Sequence, residues 1–246
     1  MDVSVCMATY NGERFINEQL KSIMSQIDQN DEVIIIDDDS KDNTVIMVEN
    51  FNDERIKIFK NETNQGHVYS FNRAITLASN DFIFLADQDD IWIPGRVNLM
   101  KKKLKETNAL VLSSNFDLLT ADGSIKSFNN SLHAQDSTKT FNNILGIFTG
   151  KRGYYGCAMA FHKKLTNIVL PIPTFAETHD LWIAMAANLL KANIHIEEKT
   201  LIRRIHNNNV SLSSRNLFQK IKSRFLYFIT LIYISKRLLI LKGRSE

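Results

Sequence analysis

Three prolines and nine glycines in 246 residues are too few for a collagen-like or linker-rich chain, and two cysteines are too few for a disulfide framework. Cys6 and Cys157 lie in apolar runs far apart, with no CxxC pair and no histidines at zinc-finger spacing, so buried free thiols are expected. Charge of one sign is scarce too. Thirty Lys and Arg against 27 Asp and Glu leave +3, which gives no global reason to expect nucleic acid as a partner. No apolar run approaches the roughly 20 residues of a bilayer span. The N-terminus has no basic start, apolar stretch or small-residue cleavage site, so secretion is not expected and a cytoplasmic protein is. A hydrophobic content of 44% excludes a disordered chain.

What is present is alternation. Residues 3–8 (VSVCMA) read as a buried strand, followed by turn chemistry at Thr9-Tyr10-Asn11-Gly12 and by Phe15, Ile16, Leu20, Ile23 and Met24 at helical spacing. Residues 33–36 (VIII) form a second strand run, stopped by Asp37, Asp38 and Asp39, with Asp42 and Asn43 as candidate caps of the next helix. A weaker strand at 56–59 precedes a helix facing inward with Val68, Phe71, Ile75 and Ala78. Residues 82–86 (FIFLA) then stop at Asp87, Asp89 and Asp90. Strands alternating with helices predict an α/β fold with a Rossmann-like, mainly parallel sheet flanked by helices. In such sheets ligands bind outside the carboxyl ends of the strands, where these acids sit.

The second half is less regular. Val97, Met100 and Leu104 mark a helix, 109–113 a strand, and Asp122-Gly123 a turn between short strands. Residues 128–139 read as a mobile loop able to gate a site, 154–161 (YYGCAMAF) as a buried strand, and 180–190 as an apolar helix with Asp180 at its start. Short strands at 194–196 and 201–205 lead to Arg203, Arg204 and His206. Residues 218–241 mix aromatic and aliphatic residues with Lys and Arg. They predict a basic amphipathic helical tail suited to peripheral contact with a membrane interface, or alternatively a helix pair packed on protein.

Three carboxylates this close repel one another unless a cation or ligand hydrogen bonds compensate, and carboxylate oxygens suit Mg2+ or Mn2+. The other reading is a solvated acidic loop that starts the following helix.

SVCMATYNGER, VIIIDDDSKDNT, FLADQDDIW, and ETHDLWIA followed by RRIHNNNVS together resemble the inverting nucleotide-sugar glycosyltransferases of family 2, which have the GT-A fold. The resemblance implies a GT-A domain over 1–214, with a nucleotide-sugar half at 1–107 and an acceptor and catalytic-base half at 108–214. The helical tail then occupies 215–246. It assigns Thr9, Tyr10, Asp38 and Asp87 to the nucleotide, Asp89 and Asp87 to a Mn2+ or Mg2+ ion, and Asp180 to the general base. Arg204 and Trp182 become candidate contacts to the diphosphate or acceptor, and His206 a further candidate metal ligand.

His-Asp-Leu-Trp departs from the family's common Glu-Asp form, since Glu177 is displaced and His179 precedes Asp180. The form resembles a subgroup rich in rhamnosyltransferases and leaves His179 as a rival base. Simpler readings stand beside these: a helix-capping role for Asp38, an N-cap for Asp180, and core positions for Trp92 and Trp182. The processive Gln-x-x-Arg-Trp motif is absent, so transfer of a single sugar is expected. The implied donor is a nucleoside-diphosphate sugar, dTDP-L-rhamnose or a UDP-hexose. The implied acceptor is a glycan, with a polyprenyl-diphosphate-linked intermediate of surface polysaccharide as the leading form. A sugar nucleotidyltransferase would carry a glycine-rich basic loop after its first strand, where this chain has Thr9-Tyr10-Asn11-Gly12-Glu13-Arg14. An inactive nucleotide-binding scaffold subunit is the other alternative.

Overall fold

The computed structural model describes residues 2–206 and 216–243. The boundary expected at 214/215, and residues 207–211 of the last motif, lie outside the described residues.

The first half alternates as expected: β1 (Val3–Thr9), α1 (Ile16–Met24), β2 (Glu32–Asp37), α2 (Thr44–Glu49), β3 (Ile56–Lys60), α3 (His67–Leu77) and β4 (Phe82–Asp87). Then follow β5 (Ile91–Trp92), α4 (Arg96–Thr107), β6 (Val111–Leu119), β7 (Ile125–Ser127), α5 (Thr140–Thr149), β8 (Met159–His162) and α6 (Thr166–Val169). Last come α7 (His179–Leu189), β9 (Asn193–Arg204) and α8 (Leu217–Lys242). One sheet runs β3-β2-β1-β4-β8-β6-β9-β5, with β7 paired to β6. Its first four strands are parallel, whereas β8 runs antiparallel to both β4 and β6, so the sheet as a whole is mixed.

The continuous apolar runs are explained by burial on both faces, the pattern parallel strands require. Val5, Met7, Val33, Ile35 and Phe84 face Ile16, Leu20 and Met100 on one side of the sheet. Cys6, Ile34, Ile36 and Leu85 face Phe71, Ile75 and the α7 residues Ile183 and Met185 on the other. Each such side chain contributes about 1.5–3 kcal/mol. Both cysteines are buried and free, as expected. Register pairs Thr9 with Asp37 and Ala8 with Asp87, so β1, β2 and β4 end at one level.

Four sequence expectations change. The strand expected over 154–161 shortens to β8, because Gly156 opens a 3-10 turn (Gly156–Ala158) instead of continuing a strand. A Cβ there would lie 2.6 Å from His179 Nε2, and the Gly156 N–H donates to Asp180 Oδ2 at 3.3 Å rather than to a neighbouring strand. The two strands expected near 194–205 are one twelve-residue β9, whose exposed Glu197, Glu198 and Lys199 hide its continuity. The loop at 128–139 is pinned: Phe128 stacks on Phe116 at 4.7 Å, and the Asn115 amide brackets Leu132. The C-terminal segment is one helix, not a pair, and begins with a capping box between Asn216 and Gln219.

Asn115 Nδ2 donates to Leu132 O at 2.9 Å and Glu197 O at 3.2 Å, while its Oδ1 accepts from Leu132 N at 2.7 Å. Asn115→Ala strands these buried groups and is expected to lower stability in urea unfolding by about 3 kcal/mol. A loss under about 0.5 kcal/mol would refute the pin.

Candidate active site at the strand ends

The ends of β1, β2 and β4 are tied together by side chains. Gln88 clasps the first loop in both directions, with Tyr10 N donating to its Oε1 at 2.9 Å and its Nε2 donating to Tyr10 O at 3.0 Å. This clasp needs Gly12, because a Cβ there would lie 2.2 Å from Gln88 Oε1. The Thr9 hydroxyl donates to Asp37 Oδ1 at 2.9 Å. Thr9 is buried, so the expectation that it touches the nucleotide is corrected: its hydroxyl is spent inside the fold. Tyr10 beside it is 46% exposed.

Asp38 is buried and accepts from Asn61 Nδ2 at 2.7 Å, Gln65 N at 2.8 Å and Gly66 N at 2.7 Å. A carboxylate has about four acceptor sites, so about one remains for a ligand. Asp38 thereby fixes the loop that enters α3, whose N-cap is Gly66. In α2 the capping is done by Asp42, whose Oδ1 accepts from Thr44 N at 3.0 Å, while Asn43 makes no side-chain cap bond.

The acids after β4 separate by environment. Asp90 is 1% exposed; its Oδ1 accepts from Arg204 N at 3.2 Å, and its Oδ2 is buried with no hydrogen-bond partner. Ligand atoms of Asp87, Asp90 and Cys157 lie within 4.8 Å of one another. Burial, and then the charge of Asp89, pushes Asp87 up to about 6. Burial and the charges of Asp87 and Asp89 push Asp90 well above the usual carboxylate range. Arg203 supplies the opposing charge: burial pulls its guanidinium down, but Cys157, Asp87 and Asp90 outweigh this and push it up. It lies 5.0 Å over the Tyr155 ring. Gln19 Nε2 holds the Asp87 carbonyl at 2.8 Å.

The strand pair β5–β9 delivers the C-terminal part of the site. Arg204 Nε donates to Asp89 O at 3.2 Å and its Nη2 to Glu18 Oε2 at 2.6 Å. His206 Nε2 lies 2.7 Å from Asp89 Oδ2, with its ring stacked 4.8 Å from that of Phe15. Residues more than a hundred positions apart therefore meet at Asp89, Arg204 at its carbonyl and His206 at its carboxylate. The two carboxylates that converge here, Asp87 and Asp90, offer the oxygen ligands a hard divalent cation takes, and one buried Asp90 oxygen lacks a partner.

Asp180 lies in the first turn of α7, whose N-cap is Thr178, so Asp180 is not the cap. Its Oδ1 accepts from Leu181 N at 2.7 Å and its Oδ2 from Gly156 N, which aims the carboxylate. Its charge contributes to raising Asp87. The rival His179 is corrected to a buried residue: it is 5% exposed, stacked 3.9 Å from Phe71, and burial lowers it to about 4. Neither ring nitrogen has a hydrogen-bond partner, so it is a neutral, enclosed imidazole. Trp182, expected at the diphosphate or acceptor, is corrected to the core. It is 1% exposed, and its Nε1 donates to Val169 O at 2.9 Å. Trp92 is likewise buried, under Arg96 at 4.6 Å. Glu177 turns away and accepts from Ser223 Oγ of α8 at 2.7 Å.

Gln88, Arg203, Gly156 and Cys157 complete the site beyond the expected residues. Gln88 lies inside the acidic motif and Arg203 inside RRIHNNNVS, so both carried a signal; Gly156 and Cys157 sit in an apolar run that reads only as a strand. A cleft of about 510 Å3 opens at the opposite end of the sheet, but its charges pair internally, Lys57 with Glu32 at 2.7 Å and Arg55 with Asp53 at 2.8 Å.

Residues 4–168 match the family model described as "Glycosyl transferase family 2". The chain is 33% identical over 126 residues to UDP-Glc:alpha-D-GlcNAc-diphosphoundecaprenol beta-1,3-glucosyltransferase WfgD of Escherichia coli, covering 51% of this chain and 50% of that one. It is 38% identical over 116 residues to dTDP-rhamnosyl transferase RfbG of Shigella flexneri, covering 44% and 40%. The chain thus spans half or less of the length of these two relatives. Among solved structures, S. aureus TarS 1-349 in complex with UDP-GlcNAc superposes with a TM-score of 0.71 at 20% identity, covering 97% of this chain and 67% of that one. This likeness is one of fold, and it is the GT-A fold expected from the motifs.

The Gln88 clasp predicts a coupling. Gly12→Ala should cost about 1–3 kcal/mol in urea unfolding. In a Gln88→Ala background, where the clashing amide is gone, the same change should cost at least about 1 kcal/mol less. Equal costs in the two backgrounds would show that the clasp does not constrain Gly12.

Proposed function

The chain belongs to glycosyl transferase family 2, and from that premise we propose that it catalyses metal-dependent, inverting transfer of a single sugar from a nucleoside-diphosphate donor to a glycan hydroxyl. The observation that carries the proposal is the convergence of Asp87 and Asp90 after β4, with the charges of Asp89 and of the oriented Asp180 carboxylate near enough to raise Asp87. The donor is drawn from UDP-hexoses and dTDP-L-rhamnose, a choice supported by UDP-Glc in the name of WfgD and dTDP-rhamnosyl in that of RfbG. The acceptor is a polyprenyl-diphosphate-linked glycan, by analogy with the substrate in the name of WfgD. The reaction is assigned to the cytoplasm. The half at 1–107 takes the donor, and the half at 108–214 the acceptor and base.

In this proposal the exposed Tyr10 ring and the remaining acceptor site of Asp38 meet the nucleotide. Asp89 and Asp87 hold a Mn2+ or Mg2+ ion, with His206 beside them. Such an ion, when bound, supplies Lewis-acid stabilisation of the departing diphosphate. Arg204, anchored on Glu18 and the Asp89 carbonyl, adds positive charge on the same side. Asp180 takes the proton of the attacking acceptor hydroxyl, and the Gly156 and Leu181 N–H groups fix which way its oxygens face.

Two measurements test this. With a panel of UDP- and dTDP-sugars and a polyprenyl-diphosphate acceptor, Asp180→Asn should lower transfer by about 10²- to 10⁴-fold while donor affinity stays within about threefold. An unchanged rate would remove Asp180 as the base. Because Asp87 sits at about 6, it must lose its proton to bind a cation at pH 5 but is already ionised at pH 7. The Mn2+-induced rise in melting temperature should therefore be larger at pH 7 than at pH 5, and Asp87→Asn should remove the difference. Equal rises at both pH values would detach Asp87 from the metal.

A further inference from the structure

The long helix α8 carries two stripes on opposite sides. Ser223, Tyr227, Thr230 and Ile234 recur every three or four residues and are buried against the domain. Arg237 locks this side, donating to Ile168 O at 2.8 Å and Pro171 O at 2.7 Å. On the far side Phe218, Ile221, Phe225, Phe228 and Ile232 follow the same spacing, and Leu239 extends the line. Phe225 is 63% and Phe228 52% exposed. The outward stripe is thus more hydrophobic than the inward one, the reverse of a helix that only packs on its own domain. On the buried side α8 packs against α5, where the Phe148 ring lies 6.2 Å from that of Tyr227.

Charge decides what covers this face. No Asp or Glu occurs from Leu217 to Lys242. At a step of about 100° per residue, Lys222 and Lys236 fall towards one border of the stripe, and Lys220 and Arg224 on the other. A second copy docked stripe to stripe would bring these cations against one another with no acid on the helix to pair them, which disfavours a homodimer. An anionic bilayer surface matches both features, taking up the aromatic stripe while its headgroups meet the flanking cations. No helix among the described residues is long and apolar enough to cross a membrane.

We propose that the outer face of α8 docks this protein on an anionic phospholipid surface, lying in the interface rather than spanning it. The inference stands on this helix alone and holds whether or not the proposed transfer reaction does. Cosedimentation of the full chain with phosphatidylcholine vesicles, with and without phosphatidylglycerol, tests it. Binding should be at least about tenfold tighter to the anionic vesicles and weaken with added salt. Phe225→Asp with Phe228→Asp, both at exposed positions, should keep the melting temperature and lose binding by about tenfold or more. Lys222→Glu with Lys236→Glu should reduce binding by roughly fivefold per charge. Equal or absent binding to the two vesicle types overturns the proposal. So does a dimer in sedimentation equilibrium that Phe225→Asp with Phe228→Asp dissolves while vesicles are ignored.

Discussion

The site depends on holding several carboxylates in a water-poor crevice without letting them repel the fold apart. Asp87, Asp89 and Asp90 follow a strand buried on both faces, so none can retreat far into solvent. The compensation comes from the far end of the chain. Pairing of β5 with β9 sets Arg203 and Arg204 beside the acids, and His206 beyond β9 meets Asp89. Here the mixed second half of the sheet has a concrete purpose. A strand parallel to β6, extended past its last residue, delivers cations to acids that the first half places at its own edge. Removing one partner of so buried an arrangement would leave uncompensated charge, which is far costlier than losing an exposed ion pair.

Acids at equivalent strand ends are used differently, and hydrogen bonding tells them apart. Asp37 accepts from Thr9 and Ser40, and Asp38 from Asn61, Gln65 and Gly66, so both stitch loops to the sheet. Asp90 instead keeps a buried oxygen without a partner, and burial together with neighbouring charge raises Asp87. Native proteins seldom leave such an atom unpaired, and where they do a ligand is a common reason. The acids at the end of β2 thus mostly shape the crevice, with about one acceptor site of Asp38 to spare, while Asp90 after β4 keeps a whole buried oxygen unpaired.

The first half was legible because strands buried on both faces write themselves as unbroken apolar runs, and the helix between two of them reads as a 3.6-residue period. The acidic motif and Asp180 were legible as residues at element ends. Other features were written in contacts rather than in pattern. Nothing local marks Gly156 as the residue pressed on His179, or β9 as one strand across three exposed charges. The apolar surroundings of Trp182 allowed either a sugar platform or a core residue. The choice fell to the core through Val169 and Arg237, which come from other elements. His179 had a suitable intrinsic pKa, but burial beside Phe71 removes it from solvent.

Those contacts join the two ends of the molecule's chemistry. Trp182 sits on α7 two residues beyond Asp180, under the Arg237 guanidinium of α8 at 5.3 Å and 6.0 Å from the Tyr233 ring. Glu177, three residues before Asp180, accepts from Ser223 of the same helix. The helix that bears the candidate base is therefore clamped on both sides of that base to the helix that bears the outward apolar stripe. Packed helices move as bodies rather than deforming continuously. A surface that fixed the orientation of α8 would then fix the orientation of Asp180 as well.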